Sequence, residues 1–253
     1  MQGFKNLHQQ DKPLLLANVW DVSSATCAEQ AGYHALGTSS AAIASVLGYD
    51  DGERMPFDEL AFMIERIATT TSLPLTVDIE AGYSRDPKVI AEHIKQLCNL
   101  GVIGVNIEDS LVGETRTLVA RESFSELIRS LRTYLTERGG DVFINVRSDV
   151  FLLGIEGARE EAILRAKSYQ HAGANGVFFP CVTCKEDIRA IVEATTLPLN
   201  VMAMPDLPDI TVLADLGVKR VSTGNFSHDK IYGQLTNLLV DIKHKNSCQP
   251  LFT

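Results

Sequence analysis

Asp78 and Glu80 close the run Leu75-Thr76-Val77-Asp78-Ile79-Glu80, two carboxylates spaced two residues apart among apolar ones. Side chains alternate along a strand, so Leu75, Val77 and Ile79 share one face while Thr76, Asp78 and Glu80 share the other. The same alternation sets Asn106 and Glu108 against Val105 and Ile107, and Asn145 and Arg147 against Ile144 and Val146. Three carboxylates gathered on one side repel one another, and taking them out of water is costly unless cations or protons compensate. All-oxygen donors with no His or Cys nearby suit a hard divalent ion, Mg²⁺ first and Mn²⁺ next, and disfavour zinc. The planar fork of Arg147 matches a substrate carboxylate or phosphonate. The same residue types also admit a structural reading, with Asp78 and Glu80 paired to Arg85 or Arg147 or capping the following helix, and Arg147 serving only as a counter-ion.

The elements that bring these residues together announce themselves as repeats. Ala31-Gly32-Tyr33, Leu100-Gly101-Val102, Ala172-Gly173-Ala174 and Leu216-Gly217-Val218 each end a helix-like stretch and lead into an apolar run. A glycine there suits the left-handed residue that closes a helix. Thr71-Ser72-Leu73-Pro74-Leu75 and Thr195-Thr196-Leu197-Pro198-Leu199 each start a strand behind a proline, a residue tolerated at a strand's first position. Strands are expected near 14–19, 35–38, 75–79, 104–107, 142–146, 176–179, 199–202 and 220–223. Helices are expected near 23–31, 57–70, 88–100, 123–137, 157–172, 185–194, 208–216 and 230–243. Strict alternation of this kind predicts an α/β fold, a closed parallel (β/α)8 barrel, with reactive groups at the C-terminal strand ends. An open doubly wound sheet is the competitor, but no G-x-G-x-x-G follows the first strand. Residues 39–55 and 108–122 read as insertions overhanging the barrel mouth. Asn18 and Asn200 extend its polar lining.

The 253 residues carry 32 Asp plus Glu against 23 Lys plus Arg, a formal charge of −9. That leaves no basic footprint for nucleic acid and makes an acidic membrane a poor partner. No apolar run reaches the roughly 20 residues of a bilayer span, and the opening MQGFKNLHQQDK lacks the apolar block of a secretory signal. The expectation is a cytoplasmic protein of one domain over residues 1–253, with 247–253 a loose tail. Five scattered cysteines read as reduced thiols, and Cys181-x-x-Cys184 has no second pair to complete a zinc site. His8, His34, His93, His171, His228 and His244 fall at helix ends, early strand positions or near the termini, so packing or solvated roles are expected for them.

The blocks Asn18-Val19-Trp20-Asp21, Thr38-Ser39-Ser40-Ala41, Leu47-Gly48-Tyr49-Asp50-Asp51-Gly52, Asp78-Ile79-Glu80-Ala81-Gly82-Tyr83, Asn106-Ile107-Glu108-Asp109 and Asn145-Val146-Arg147 span most of the chain. Together they resemble the phosphoenolpyruvate mutase/isocitrate lyase superfamily, in particular its small phosphonomutase-like and oxaloacetate decarboxylase-like members. The resemblance implies a (β/α)8 barrel whose eighth helix, here within 228–246, packs on a neighbouring subunit in a dimer-of-dimers homotetramer. It implies Asp78 as a direct Mg²⁺ ligand, with Asp51, Glu80 and Glu108 holding the ion largely through water. The backbone of Ser39, Ser40 and Ala41 is then expected to cradle the substrate carboxylate or enolate oxygen, and Arg147 to grip the other end. Arg147, Ser39 and Glu108 are the expected catalytic residues, and Trp20 and Asn200 complete the substrate contacts.

The implied reaction breaks a C–C or P–C bond next to a 2-oxo acid through a pyruvate-like enolate whose charge the cation stabilises. The loop after the fourth strand, Glu108-Asp109-Ser110-Leu111-Val112-Gly113-Glu114-Thr115-Arg116, holds none of the lysines, nor the acid/base cysteine, carried there by the family's isocitrate-type lyases and, for lysine, its mutases. Glu114 falls at the mutase's loop lysine and Pro180 at its histidine. Decarboxylation or a hydrolase-like cleavage asks less of such a loop than retro-aldol cleavage, which needs a base, and is the leading expectation. Glu114 or Arg116 either acts from that loop or forms only a salt bridge toward solvent. The alternatives are a barrel that binds Mg²⁺ and a 2-oxo acid without turnover, and phosphonomutase or methylisocitrate lyase activity despite the missing Lys and Cys. A sugar-phosphate barrel enzyme is disfavoured because Met204-Pro205-Asp206 and Thr223-Gly224-Asn225 supply little phosphate grip.

Overall fold

The computed structural model describes residues 2–252. Four strands, β1 (Leu14–Val19), β2 (Leu36–Thr38), β3 (Leu75–Asp78) and β4 (Gly104–Glu108), precede a hairpin of β5 (Ser110–Val112) and β6 (Arg116–Leu118). β7 (Phe143–Arg147), β8 (Gly176–Phe179), β9 (Leu199–Met202) and β10 (Arg220–Ser222) follow. The hairpin aside, the eight strands form a closed barrel in the order β1-β10-β9-β8-β7-β4-β3-β2, and every neighbouring pair is parallel. The expected (β/α)8 architecture is therefore the observed one.

The helices are α1 (Gln2–Leu7), α2 (Val22–Gln30), α3 (Ser40–Leu47), α4 (Phe57–Ala68), α5 (Pro87–Asn99), α6 (Arg121–Glu137), α7 (Ala158–Ala172), α8 (Lys185–Ala194), α9 (Ile210–Asp215) and α10 (Phe226–Lys245). Their sequences explain their packing. α4 buries Phe57, Leu60, Ala61, Ile64 and Ile67, one stripe at helical spacing, with Asp58 and Glu59 in its first turn and Arg66 in its last, each suited to the helix dipole. α5 starts on Asp86, whose carboxylate accepts from Lys88 N, with Pro87 in the first turn. The glycines of the repeated phrase, Gly32, Gly101, Gly173 and Gly217, all have positive φ, as a helix-closing role requires.

Five segments differ from the sequence reading. Residues 39–55 are no simple loop, because Ser39 caps α3 by accepting from Ala42 N. Residues 108–122 contain the β5-β6 hairpin, and α1 stands ahead of the first strand. α10 begins at Phe226, not 230, and continues to Lys245. Within 247–253, Gln249–Leu251 forms a 3-10 turn, and Thr253 lies outside the described residues.

Two cores hold the barrel. The larger lies between strands and helices. The smaller fills the closed end with Phe4, Leu14, Leu16, Ala35 and Phe143, α1 acting as its plug. His8 stacks on Phe143 at 4.8 Å, and Phe4 meets the same ring edge-on at 5.3 Å. Asn18 seals the seam where the sheet closes. Its Oδ1 accepts from Thr223 N and Gly224 N, and its Nδ2 donates to Thr38 O. Along α10 only His228 is buried, and Leu15 on β1 is 44% exposed, an unusual state for a barrel strand.

Candidate active site

Asp78 is the last residue of β3 and is buried. Its carboxylate accepts from Ser40 Oγ at 3.3 Å and from Glu80 N at 3.2 Å, while its own N–H donates to Thr38 Oγ1. Glu80 lies past the strand end in left-handed backbone, φ 49°, a conformation costly for a residue with a Cβ and typical of functional sites. Its carboxylate accepts from Glu53 N and from the Tyr83 hydroxyl. Among the described residues no cationic side chain bonds to Asp78 or Glu80. Burial, and then the charges of Asp51, Asp78 and Glu108, push Glu80 up to about 8. Burial likewise raises Asp78, with Arg147 opposing it.

Glu108, at the end of β4, sits in a closed ring of charges. Arg116 Nη1 donates to Glu108 Oε1 and to Asp149 Oδ2. Arg147 Nη1 reaches Glu108 Oε2 at 3.1 Å and its Nε donates to Asp149 Oδ1 at 2.7 Å. Ser110 adds its hydroxyl to Asp149. Burial pushes Glu108 up to about 7 against the pull of Arg147 and Arg116. Burial also works to raise Asp149, but Arg147, Ser110 and Arg116 outweigh it and hold that carboxyl below its usual range. Among the described residues nothing accepts from Arg147 Nη2.

The structure brings Asp78, Glu80, Glu108 and Arg147 to one barrel mouth, and Asp51 joins from the loop after α3 through Arg116 at 3.4 Å. Of the structural alternatives, Arg85 pairs with Glu53 rather than with Asp78 or Glu80, and Arg147 pairs with Glu108 and Asp149. Three of the expected substrate contacts have partners within the protein. Ser39 N donates to Val19 O and its hydroxyl caps α3, whereas the N–H groups of Ser40 and Ala41 lie in the first turn of α3, where backbone donors lack intrahelical partners. Asn200 is closed inside the barrel, where its Nδ2 donates to Ser222 Oγ. Trp20 packs edge-on against His228 at 5.1 Å, in the wall between α2 and α10. Asp109 is also structural. It accepts from Arg165 at 2.7 Å, Tyr169 at 2.6 Å and Asp149 N at 3.2 Å, and so fixes the backbone that presents Asp149. Sequence reading missed Asp149, which continues the alternation of Asn145 and Arg147, and Glu53, Tyr83 and Ser110, which have no periodicity to mark them.

A family model described as phosphoenolpyruvate phosphomutase matches residues 4–243. The chain belongs to that family. Among its relatives in the family, an uncharacterized protein of Mycobacterium tuberculosis is 34% identical over 223 residues, 88% of this chain and 82% of that one. An oxaloacetate decarboxylase of Paraburkholderia xenovorans is 32% identical over 221 residues, covering 83% and 71%. A crystal structure of a phosphonomutase-type protein of Burkholderia cenocepacia superposes with a TM-score of 0.88 at 37% identity, covering 94% of this chain and 98% of that one. The family's members are enzymes, lyases and mutases among them.

Proposed function

We propose that this chain is a Mg²⁺-dependent, cytoplasmic lyase of a small 2-oxo acid, and that decarboxylation of an oxaloacetate-like acid is the reaction its residues serve. The observation that carries this reading is the pair Asp78 and Glu80, buried carboxylates to which no cationic side chain bonds among the described residues, beside the unpaired edge that Arg147 shows among those residues and the first-turn N–H groups of α3. Among the described residues no three His, Cys, Asp or Glu side chains close on a point tightly enough to cage a metal. A hydrated hard ion does not require such a cage, since Mg²⁺ is usually bound through one or two carboxylates and keeps several waters. Asp78, Glu80, Glu108 and Asp51 are the residues that would hold such an ion, Asp78 directly. Such an ion supplies charge stabilisation for an oxygen that becomes an enolate.

The chain's own groups divide the remaining work. Arg147 Nη2 orients a substrate carboxylate. The bond between C3 and the departing carboxylate breaks, its electron pair moves to C2–C3 and the keto oxygen, CO₂ leaves, and a proton from water adds to C3. The N–H groups of Ser40 and Ala41, in the first turn of α3, would donate to the oxygen that gains charge, the role of an oxyanion hole. Support from similarity comes from the oxaloacetate decarboxylase relative.

The test is pyruvate release from oxaloacetate with Mg²⁺. Asp78→Ala is expected to lower kcat by at least about 10³-fold, and undiminished turnover in that variant overturns the mechanism. The closed ring around Glu108 favours a second reading, binding without turnover. A thermal shift with Mg²⁺ and oxaloacetate but no product supports it.

We also propose that α10 is exchanged between subunits of a homotetramer. Support comes from the stripe Ile231, Leu235 and Leu239, all exposed, from uncovered Leu15, and from an apolar cavity of about 490 Å³ lined by Ala17, Trp20, Cys27, Tyr33 and Ile231.

A further inference from the structure

Glu53 belongs to none of the motifs that mark the site, yet it ties two of the site's segments together. Its N–H donates to Glu80 Oε2. Its own carboxylate accepts from Tyr83 N at 2.6 Å and pairs with Arg85. Tyr83 in turn donates its hydroxyl to Glu80 Oε1 at 3.2 Å, so both oxygens of Glu80 are held within one closed loop of bonds. Glu53, Glu80 and Tyr83 all have positive φ, 59°, 49° and 58°. Three non-glycine residues in that region, each costing of order 1–3 kcal/mol, persist only because these bonds over-determine them. The consequence reaches Asp51, two residues before Glu53 on the same short loop. We infer that Glu53 is a positioning residue that fixes the Asp51 loop and the Glu80 carboxylate in register with Asp78, so that a divalent cation meets a preformed set of oxygens.

This inference rests on the cation reading of the site and deepens it. Two properties separate it from a merely structural role. The bond to Tyr83 N needs an acceptor oxygen at Glu53, not a negative charge, whereas the pair with Arg85 needs the charge and lies toward solvent, where ion pairs contribute little. Glu53→Gln therefore keeps the positioning bond, and Glu53→Ala removes it. Groups that orient metal-bound residues commonly contribute 10- to 100-fold in affinity.

The experiment titrates the full-length protein with Mn²⁺, read by the paramagnetic resonance signal of the free ion, alongside amide hydrogen exchange in metal-free protein. Glu53→Ala is expected to weaken Mn²⁺ binding at least about tenfold and to speed exchange over residues 79–85. Glu53→Gln and Arg85→Ala are expected to stay within about threefold of wild type. Glu53→Ala binding Mn²⁺ within twofold of wild type overturns the inference, as does a Glu53→Gln loss equal to that of Glu53→Ala. A wild-type chain that binds no Mn²⁺ overturns the cation reading itself. In that case unchanged exchange at 79–85 in Glu53→Ala overturns the ordering role separately.

Discussion

Glu108 and His8 show two ways in which burial governs a titrating side chain. Glu108 lies beside two arginines, and its ring with Asp149, Arg116 and Arg147 sums to zero charge, which makes such burial tolerable. His8 has no such compensation. Its Nδ1 lies 3.0 Å from Phe4 O, its Nε2 is buried without a partner, and burial, with Arg220 nearby, lowers it to about 4 from 6.5. An unfolded chain thus takes up a proton below pH 6.5 that the folded chain refuses until about pH 4. The stabilisation is complete above pH 6.5 and is lost as the pH falls toward 4. Between pH 7 and pH 5 the loss is roughly 2 kcal/mol. His8→Phe is expected to remove that much of the acid slope, and urea unfolding of both proteins at the two pH values measures the difference. The residues legible in the sequence are those whose strands alternate, Asp78, Glu108 and Arg147. Asn200 obeys the same alternation, but its β9 position faces the closed interior, and periodicity alone does not encode height along the barrel axis.

At the level of elements, the mouth is built by two segments that read as loops and fold as α3 and the β5-β6 hairpin. Ser39 and Gly48 bound α3 in a recognisable way, with Gly48 closing it in left-handed backbone, but its small residues form no amphipathic stripe against polar neighbours. The hairpin escapes a periodicity reading because each arm has only three residues. The two segments touch at Gly52, whose φ is 99° and where an added Cβ falls 2.7 Å from Val112. Arg54 also reaches Gly113 O, and Arg116 reaches Asp51, so loop and hairpin are tied to one another. Gly52→Ala is expected to cost at least about 1 kcal/mol from its backbone alone. Faster amide exchange across residues 110–118, with unchanged exchange in α4 and α5, is the accompanying signature.

Over the whole molecule, the barrel's strand count and parallel closure were readable, since six of its eight strands follow a glycine or proline that marks their start. How α10 sits was not, because an apolar stripe does not say what covers it. It is rooted by His228, which packs on Trp20 at 5.1 Å and Tyr232 at 4.5 Å. Replacing both Leu235 and Leu239 with Glu is expected to shift the protein to smaller species in light scattering while its circular dichroism stays that of an α/β barrel. An unchanged mass contradicts helix exchange. Leu15, bare on the barrel wall, carries a consequence for supply. Where covering it takes a second chain, folding and encounter become one equilibrium, and the melting temperature climbs with protein concentration. A scarcely expressed copy would then be an easy target for proteases, and its abundance would respond to gene dosage more steeply than in proportion.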